Sequence, residues 1–155
     1  MIKSKPLLIL ASTSAIRKEI LKKIGCKFKA VASYYHEDME IHKSPSTLVK
    51  ALSKGKAMKV AKKYPEDIVA GFDTIAHLAE DKDKKNIGKP KDFKDAIKML
   101  QSFSNKKIKM YSGFTIIHKG KIISDFAVAT VKMKKLTTVE ITNYLRQEPS
   151  ALGAA

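Results

Sequence analysis

Short runs of apolar residues, bounded by turn residues or alternating with polar positions, predict five strands. Such runs are typical of strands that pack one or both faces in a core. In chain order the predicted strands cover residues 7–10, 28–33, 68–78, 108–118 and 121–133. The last two runs are separated by Lys119 and Gly120, so we expect them to form a hairpin.

Four segments repeat their apolar residues at helical spacing, and each begins at a residue that commonly caps a helix. The predicted helices begin at Ser14, Ser44, Asp92 and Thr137 and end near residues 24, 63, 103 and 145. Pro45 at a first helical position, and a capping box formed by Thr137 and Glu140, strengthen two of these starts. Together the strands and helices predict a mixed α/β fold.

The turn between the first predicted strand and the first predicted helix contains Ser12 and Ser14. A helix N-terminus presents unpaired backbone N–H groups and the positive end of a dipole, and serine hydroxyls beside it can donate to phosphate oxygens. The turn is therefore a candidate phosphate-binding site. The alternative is that Ser14 only caps the helix, which is the commonest use of such a serine.

Arg17 lies inside the apolar arc of the first predicted helix. At about 100° per residue, this arc is formed by Ile16, Ile20, Leu21 and Ile24, whereas the neighbouring lysines fall outside it. An arginine that points inward needs an anion, and its guanidinium suits phosphate or carboxylate. We therefore expect Arg17 to bind phosphate, with an internal salt bridge to a carboxylate as the alternative.

Lys56 has the same property in the second predicted helix. It falls in the middle of the arc formed by Leu48, Val49, Leu52 and Val60. This position indicates a second inward-pointing cation. The alternative is that the long side chain extends to water at the edge of the core.

Asp73 interrupts the apolar run of residues 68–78. A carboxylate in a buried strand is unfavourable unless it is paired, hydrogen-bonded or metal-bound, and such surroundings shift its pKa toward values useful in catalysis. Gly71, two residues earlier, allows another backbone or a ligand to approach closely. Asp73 is therefore the candidate catalytic residue, with a turn-capping aspartate as the alternative.

Two further segments carry weaker signals. The loop after the second strand is acidic, with Glu37, Asp38 and Glu40 close together, and carboxylate oxygens suit a hard divalent cation such as Mg²⁺. A solvated acidic loop is the alternative. Lys89, between Gly88 and Pro90, belongs to a restrained backbone that would hold an ammonium group near a phosphate.

Composition narrows the class of protein. The chain has 155 residues, 44% of them hydrophobic, which suits one globular domain, and no apolar run is long enough to span a bilayer. We expect a cytoplasmic protein that does not bind membranes. The single cysteine, Cys26, excludes an internal disulfide and is expected to be a small buried thiol.

The net charge of +16 invites a nucleic-acid-binding interpretation. Two of the 31 basic residues are arginines, and the other 29 are lysines that are dispersed through most of the predicted elements. A dispersed pattern is typical of genome composition or high growth temperature rather than of one binding stripe. We therefore do not expect nucleic acid to be the main partner.

Several segments of the chain resemble motifs of the Maf family, in the same order and spacing. LASTSAIRKEIL is similar to L-A-S-x-S-P-R-R-x-E-L-L, LSKGKA to L-A-x-x-K-A, and GFDT to G-A-D-T. GKP followed by DFKDAIKML resembles G-K-P-x-D followed by A-x-x-M-L, and Glu148-Pro149 resembles the family's late E-P segment. The resemblance covers nearly the whole chain, which we interpret as a single Maf-like domain, 1–155.

The resemblance implies an inosine triphosphate pyrophosphatase-like fold, an elongated mixed β-sheet flanked by helices around a central cleft, in a protein that is often a homodimer. It also implies hydrolysis of a nucleoside triphosphate to the monophosphate and pyrophosphate, with a divalent cation, Mg²⁺ or Mn²⁺. By motif position Asp73 would be catalytic and, together with Glu37, metal-binding. The residues expected to bind phosphate are Ser12, Ser14, Arg17, Lys56 and Lys89.

The chain departs from the family motifs at positions that bear on substrate choice. Ile16 replaces an arginine associated with the branch that resembles dTTP/UTP pyrophosphatases, whereas Thr74 agrees with that branch. The chain also ends before the family's glycine-, tyrosine- and glutamine-bearing segment, so we expect part of the base pocket to lie outside it. The expected substrate is dTTP, UTP or a modified nucleotide. The alternatives are a nucleic-acid-binding module and a non-catalytic regulator of cell division on the same fold.

Overall fold

The computed structural model describes residues 5–41, 44–78, 86–149 and 151. Within these residues the chain forms six strands and four helices. They are β1 (Leu8–Leu10), α1 (Ala15–Lys23), β2 (Phe28–Ala30), α2 (Pro45–Ala61), β3 (Ile68–His77), β4 (Asn86–Ile87), α3 (Phe93–Phe103), β5 (Lys107–His118), β6 (Lys121–Lys132) and α4 (Thr138–Gln147). None of these described helices is long and apolar enough to cross a membrane.

One mixed sheet contains the six described strands, in the order β2-β1-β3-β5-β6, with β4 paired to β3. β1 lies parallel to both of its neighbours, since Leu8 pairs with Phe28 of β2 and with Ile68 of β3. β4 lies antiparallel to β3, with Ala76 opposite Ile87. The predicted mixed α/β fold is therefore confirmed, with four helices flanking the sheet.

Local sequence signals set several element boundaries. The Ser14 hydroxyl accepts a hydrogen bond from the Arg17 N–H at 3.5 Å and caps α1, as the capping alternative predicts. At the start of α4, Thr137 and Glu140 form the predicted capping box. The predicted hairpin turn is confirmed at Gly120, whose φ of 78° matches the mirror-image turns that favour two-residue hairpins.

The second predicted strand is shorter than expected. β2 ends at Ala30 rather than at residue 33. Its partner β1 ends at Leu10, where the Val31 N–H makes a last hydrogen bond to the Leu10 carbonyl oxygen at 2.9 Å. The alternating residues after Val31 therefore have no β1 residues opposite them with which to pair.

The chain divides into two compact units. The first contains the described residues up to 73 together with 112–126, and the second contains those from 74 to 111 and from 127 onward. A core cluster of the first unit joins α2 to the neighbouring strands through Ile9, Ala11, Ala57, Val60, Val69 and Ile117. In the second unit α3 packs against α4.

Two expectations about exposure are wrong. The apolar arc of α1 is open to solvent, with exposed fractions of 48% at Ile16, 52% at Ile20 and 66% at Ile24. Helical spacing places these residues on one side of α1, but it does not require that side to pack on the sheet. Cys26 is also exposed rather than buried, because it follows α1 at the turn where Gly25 has a positive φ.

Gly71 of β3 lies directly against α2. A Cβ at this position would lie 2.8 Å from the Ala57 nitrogen and 2.9 Å from Ala57 Cβ, and it would also meet the Ser53 carbonyl oxygen. The close approach expected at Gly71 is therefore the approach of a helix backbone.

Gly71→Ala should lower the free energy of unfolding by about 2–3 kcal/mol, because backbone atoms of α2 cannot move aside without disturbing the core. Urea unfolding followed by circular dichroism measures the change, since the chain has no tryptophan to report by fluorescence. Gly120→Ala is the control, because a Cβ there meets nothing within 4 Å and its positive φ costs only about 1 kcal/mol. Equal stability of the two variants would contradict the close packing.

Candidate active site

Lys56 and Asp73 form a buried ion pair. Lys56 Nζ lies 2.5 Å from Asp73 Oδ1, and the two residues are 7% and 4% exposed. Lys56 belongs to α2 and Asp73 to β3, so the close packing at Gly71 brings the cation to the carboxylate. Two alternatives are therefore wrong, since Lys56 does not extend to water and Asp73 lies within a strand rather than in a turn.

Glu37 completes the group of charges around Lys56. Glu37 Oε1 lies 2.8 Å from Lys56 Nζ, although Glu37 belongs to the loop after β2 and its side chain is 38% exposed. A freely solvated loop does not describe this residue, because its carboxylate is ion-paired. Two carboxylates share one ammonium group, so these three residues carry more negative than positive charge.

Burial raises the pKa of Asp73 above its ordinary value of 3.8. The Glu37 carboxylate adds to the increase, whereas the Lys56 and Arg17 cations oppose it. Desolvation is the largest of these effects. A carboxylate with a raised pKa is a better proton acceptor, which is what a general base requires.

Arg17 lies half-buried in the first turn of α1, beside the two serines. Its guanidinium donates a hydrogen bond to Ser12 Oγ at 3.4 Å, and the Ser14 N–H donates to the same oxygen at 3.2 Å. Burial lowers the pKa of Arg17, and the charges of Asp73 and Glu37 raise it. The start of α1 and the charged group around Lys56 therefore act on each other electrostatically.

The other predicted site residues are Thr74, Ile16 and Lys89. Thr74 follows Asp73 in β3 and is half-buried, and Ile16 is exposed on α1. Lys89 belongs to the second unit, where it lines a cavity of about 350 Å³ together with Lys98 of α3. The roles expected of these residues stay predictions.

Two features of the first unit carry little sequence signal. Tyr35 packs against Gly55 of α2, and the one available sign of this contact is a glycine in the interior of a helix. Ser53 Oγ lies 3.0 Å from Thr115 Oγ1, which lies 2.8 Å from Ser124 Oγ, so hydroxyls connect α2, β5 and β6. Periodicity cannot pair Ser53 with Thr115, because 62 positions separate them.

Glu37 and Asp73 are the donors that could hold a metal ion. Both carboxylates reach the same ammonium group, so their oxygens lie around one small volume. Mg²⁺ commonly takes one or two carboxylates and completes its shell with water and substrate phosphate oxygens. The pair fits such an ion, although no group of three or more His, Cys, Asp or Glu residues in the described ranges is placed to hold a metal ion.

Comparison with known proteins agrees with the sequence motifs that contain these site residues. A sequence model of the family described as Maf-like protein matches residues 7–155. The chain belongs to the Maf family. The dTTP/UTP pyrophosphatase of Clostridium botulinum (strain Okra / Type B1) is 39% identical over 144 residues, which cover 89% of this chain and 72% of that relative. The dTTP/UTP pyrophosphatase of Thermoanaerobacter sp. (strain X514) is 41% identical over 141 residues, which cover 89% of this chain and 71% of that relative.

In this Maf-family chain, Lys56→Met should lower the free energy of unfolding by about 3 kcal/mol at neutral pH, because it leaves the Asp73 carboxylate buried without its cation. Adding Asp73→Asn should recover much of the loss, since the buried charge is then removed. Lys54→Met is the matched control on the exposed side of α2 and should change stability by less than about 0.5 kcal/mol. Equal effects of Lys56→Met and Lys54→Met would contradict the buried pair.

The raised pKa of Asp73 also predicts a pH dependence. A raised folded pKa means that the stability contributed by protonated Asp73 is complete below about pH 3.8 and is lost as the pH rises through the folded pKa. Asp73→Asn removes this loss, so the stability of the variant relative to that of the unchanged chain should increase as the pH rises from about 4 toward neutrality. Urea unfolding of both chains across that range measures the difference. If the stability of the variant relative to the unchanged chain instead increased toward low pH, the raised pKa of Asp73 would be contradicted.

Proposed function

We propose that this Maf-family chain is a nucleoside triphosphate pyrophosphatase that acts on dTTP or UTP. The observation that carries the proposal is a buried carboxylate, Asp73, held by Lys56 beside Glu37. The relatives named dTTP/UTP pyrophosphatase support the same activity. Water would attack the α-phosphorus, the bond from this phosphorus to the oxygen bridging to the β-phosphorus would break, and the products would be the nucleoside monophosphate and pyrophosphate.

Asp73 acts as the general base in this proposal. Its carboxylate accepts the proton of the attacking water, and its raised pKa makes it a stronger acceptor than an ordinary aspartate. Lys56 holds the carboxylate through the 2.5 Å hydrogen bond. Because the pair is buried, charges act on the reaction more strongly there than in bulk water.

Phosphate binding is assigned to cations and to the start of α1. The leaving pyrophosphate gains negative charge, which Arg17 and Lys56 neutralise. The hydroxyls of Ser12 and Ser14 add hydrogen-bond donors beside the backbone N–H groups of the helix N-terminus. Lys89 is included because it matches the family's G-K-P lysine.

Glu37 and Asp73 are the residues that would hold a divalent cation, Mg²⁺ or Mn²⁺. When bound, such an ion neutralises charge on the phosphate oxygens. The chain contributes two carboxylates already gathered around one point by Lys56. The family resemblance further leads us to propose a cytoplasmic homodimer.

The choice of base is proposed from two positions and from the relatives. Thr74 agrees with the dTTP/UTP branch, and so do the names of the two relatives. Ile16 stands where that branch has an arginine, so it argues for a difference in base recognition. We therefore propose dTTP and UTP first and modified nucleotides second.

A panel of nucleoside triphosphates with Mg²⁺, assayed separately for pyrophosphate and for orthophosphate, tests the proposal. The expected result is pyrophosphate and a monophosphate from dTTP and UTP. A second candidate, favoured by the net charge of +16, is nucleic-acid binding. Binding of DNA or RNA with a steep salt dependence, without cleavage of any triphosphate, would support that candidate or a non-catalytic role.

Asp73→Asn should lower the rate of pyrophosphate release by about 10²–10⁴-fold, because it keeps the size of the side chain and removes the base. Asp38→Asn, an exposed aspartate of the acidic loop, is the matched control and should keep most activity. If Asp73 acts mainly as a metal ligand, its variant should regain activity at high Mg²⁺ concentration. Near-normal turnover at every Mg²⁺ concentration would exclude Asp73 from the mechanism.

A further inference from the structure

Glu37 reaches Lys56 from a loop rather than from a helix or a strand. Residues 31–38 have no regular secondary structure, and the side chain of Glu37 is 38% exposed. Only the Lys56 end of this ion pair is buried, and a single ion pair made by a side chain that is partly open to water does not fix the conformation of a loop by itself. Other contacts are therefore needed to hold the loop against α2.

Tyr35 fills a notch in α2 at Gly55. A Cβ at position 55 would lie 2.6 Å from Tyr35 Oη and closer still to the ring atoms Cζ and Cε2. The ring therefore occupies the space that any side chain at position 55 would need. Gly55 lies in the interior of α2, where glycine is a poor helix former, and the contact with Tyr35 accounts for its presence.

Further contacts hold the residues next to Tyr35. Lys59 Nζ donates a hydrogen bond to the Tyr34 carbonyl oxygen, and the Tyr35 N–H donates to Ser33 Oγ at 3.4 Å. Tyr34 has a φ of 47°, which a tyrosine rarely adopts and which persists only where surrounding contacts impose it. Lys59 follows Gly55 by one helical turn, so both contacts lie on the same side of α2.

We propose that Tyr35, seated at Gly55, is a positioning residue that fixes the Glu37 carboxylate at Lys56. Tyr35 and Glu37 contact consecutive residues of α2, so a ring that is fixed at Gly55 leaves Glu37 little freedom to move away. The functional meaning of this contact rests on the metal-binding role proposed above for Glu37. The packing itself does not depend on that role.

The packing is tested by one substitution in two backgrounds. In the otherwise unchanged chain, Gly55→Ala should lower the melting temperature, because the methyl group displaces the ring. In a chain that carries Tyr35→Ala, Gly55→Ala should raise the melting temperature by about 2–4 °C, because alanine is the better helix former. A change of the same sign in both backgrounds overturns the proposal.

The positioning role is tested with Mn²⁺ as the probe, using electron paramagnetic resonance to measure the free ion. Tyr35→Ala should weaken Mn²⁺ binding by about tenfold, as loss of a residue that orients a ligand commonly does. Glu37→Gln should weaken it at least as much, and both changes together no more than Glu37→Gln alone. Tyr35→Phe keeps the ring and should bind as the unchanged chain does. Full Mn²⁺ binding by Tyr35→Ala, or additive losses, overturns the proposal.

Failure of the proposed function gives a different pattern. In that case the unchanged chain releases no pyrophosphate from dTTP or UTP, and Glu37→Gln leaves Mn²⁺ binding as it was. Melting temperatures then decide the positioning role alone. Glu37→Gln should lower the melting temperature of the unchanged chain but not that of the Tyr35→Ala chain, and an equal decrease in both overturns the proposal.

Discussion

The contact between Lys56 and Asp73 is the interaction on which the rest of the site depends. Neither charge would be tolerable alone at that depth, because removal from water disfavours the ionised form of each. Once the two are paired, Glu37 forms an ion pair with the Lys56 ammonium group, and Arg17 is attracted by the Asp73 carboxylate. The cation only partly offsets the desolvation of Asp73, which is why a residue held by a salt bridge still has a raised pKa.

Glycine residues at the helix–sheet contacts make this ion pair possible. α2 approaches β3 at Gly71, and it approaches β5 at Gly113, where a Cβ would lie 2.9 Å from Val49 Cβ. Each glycine removes the spacing that a side chain places between a helix and a sheet. Helix and strand therefore meet backbone to backbone, and a lysine on the helix reaches a carboxylate on the strand beneath it. The chemistry of the site is thus set partly by packing elsewhere on the same two elements.

Periodicity predicts much of the fold and part of the site. It indicates that Lys56 points inward and that Asp73 lies in a buried strand, because each is a property of a single local segment. It does not predict that the two residues touch across 17 positions, or that Tyr35 packs on Gly55, because such contacts depend on how segments pack. The same limit explains the error at Ile16, since a repeat shows which residues share a face and not what covers that face.

The distribution of lysines has a practical consequence for probing the protein in solution. Among the described lysines, Lys56 alone is buried, whereas most of the others are exposed. An amine-reactive reagent can therefore reach most of these lysines at the surface, whereas the Lys56 ammonium group in the site is shielded from it. Modification of this single side chain would therefore report on exposure of the site, which modification of the exposed lysines does not report.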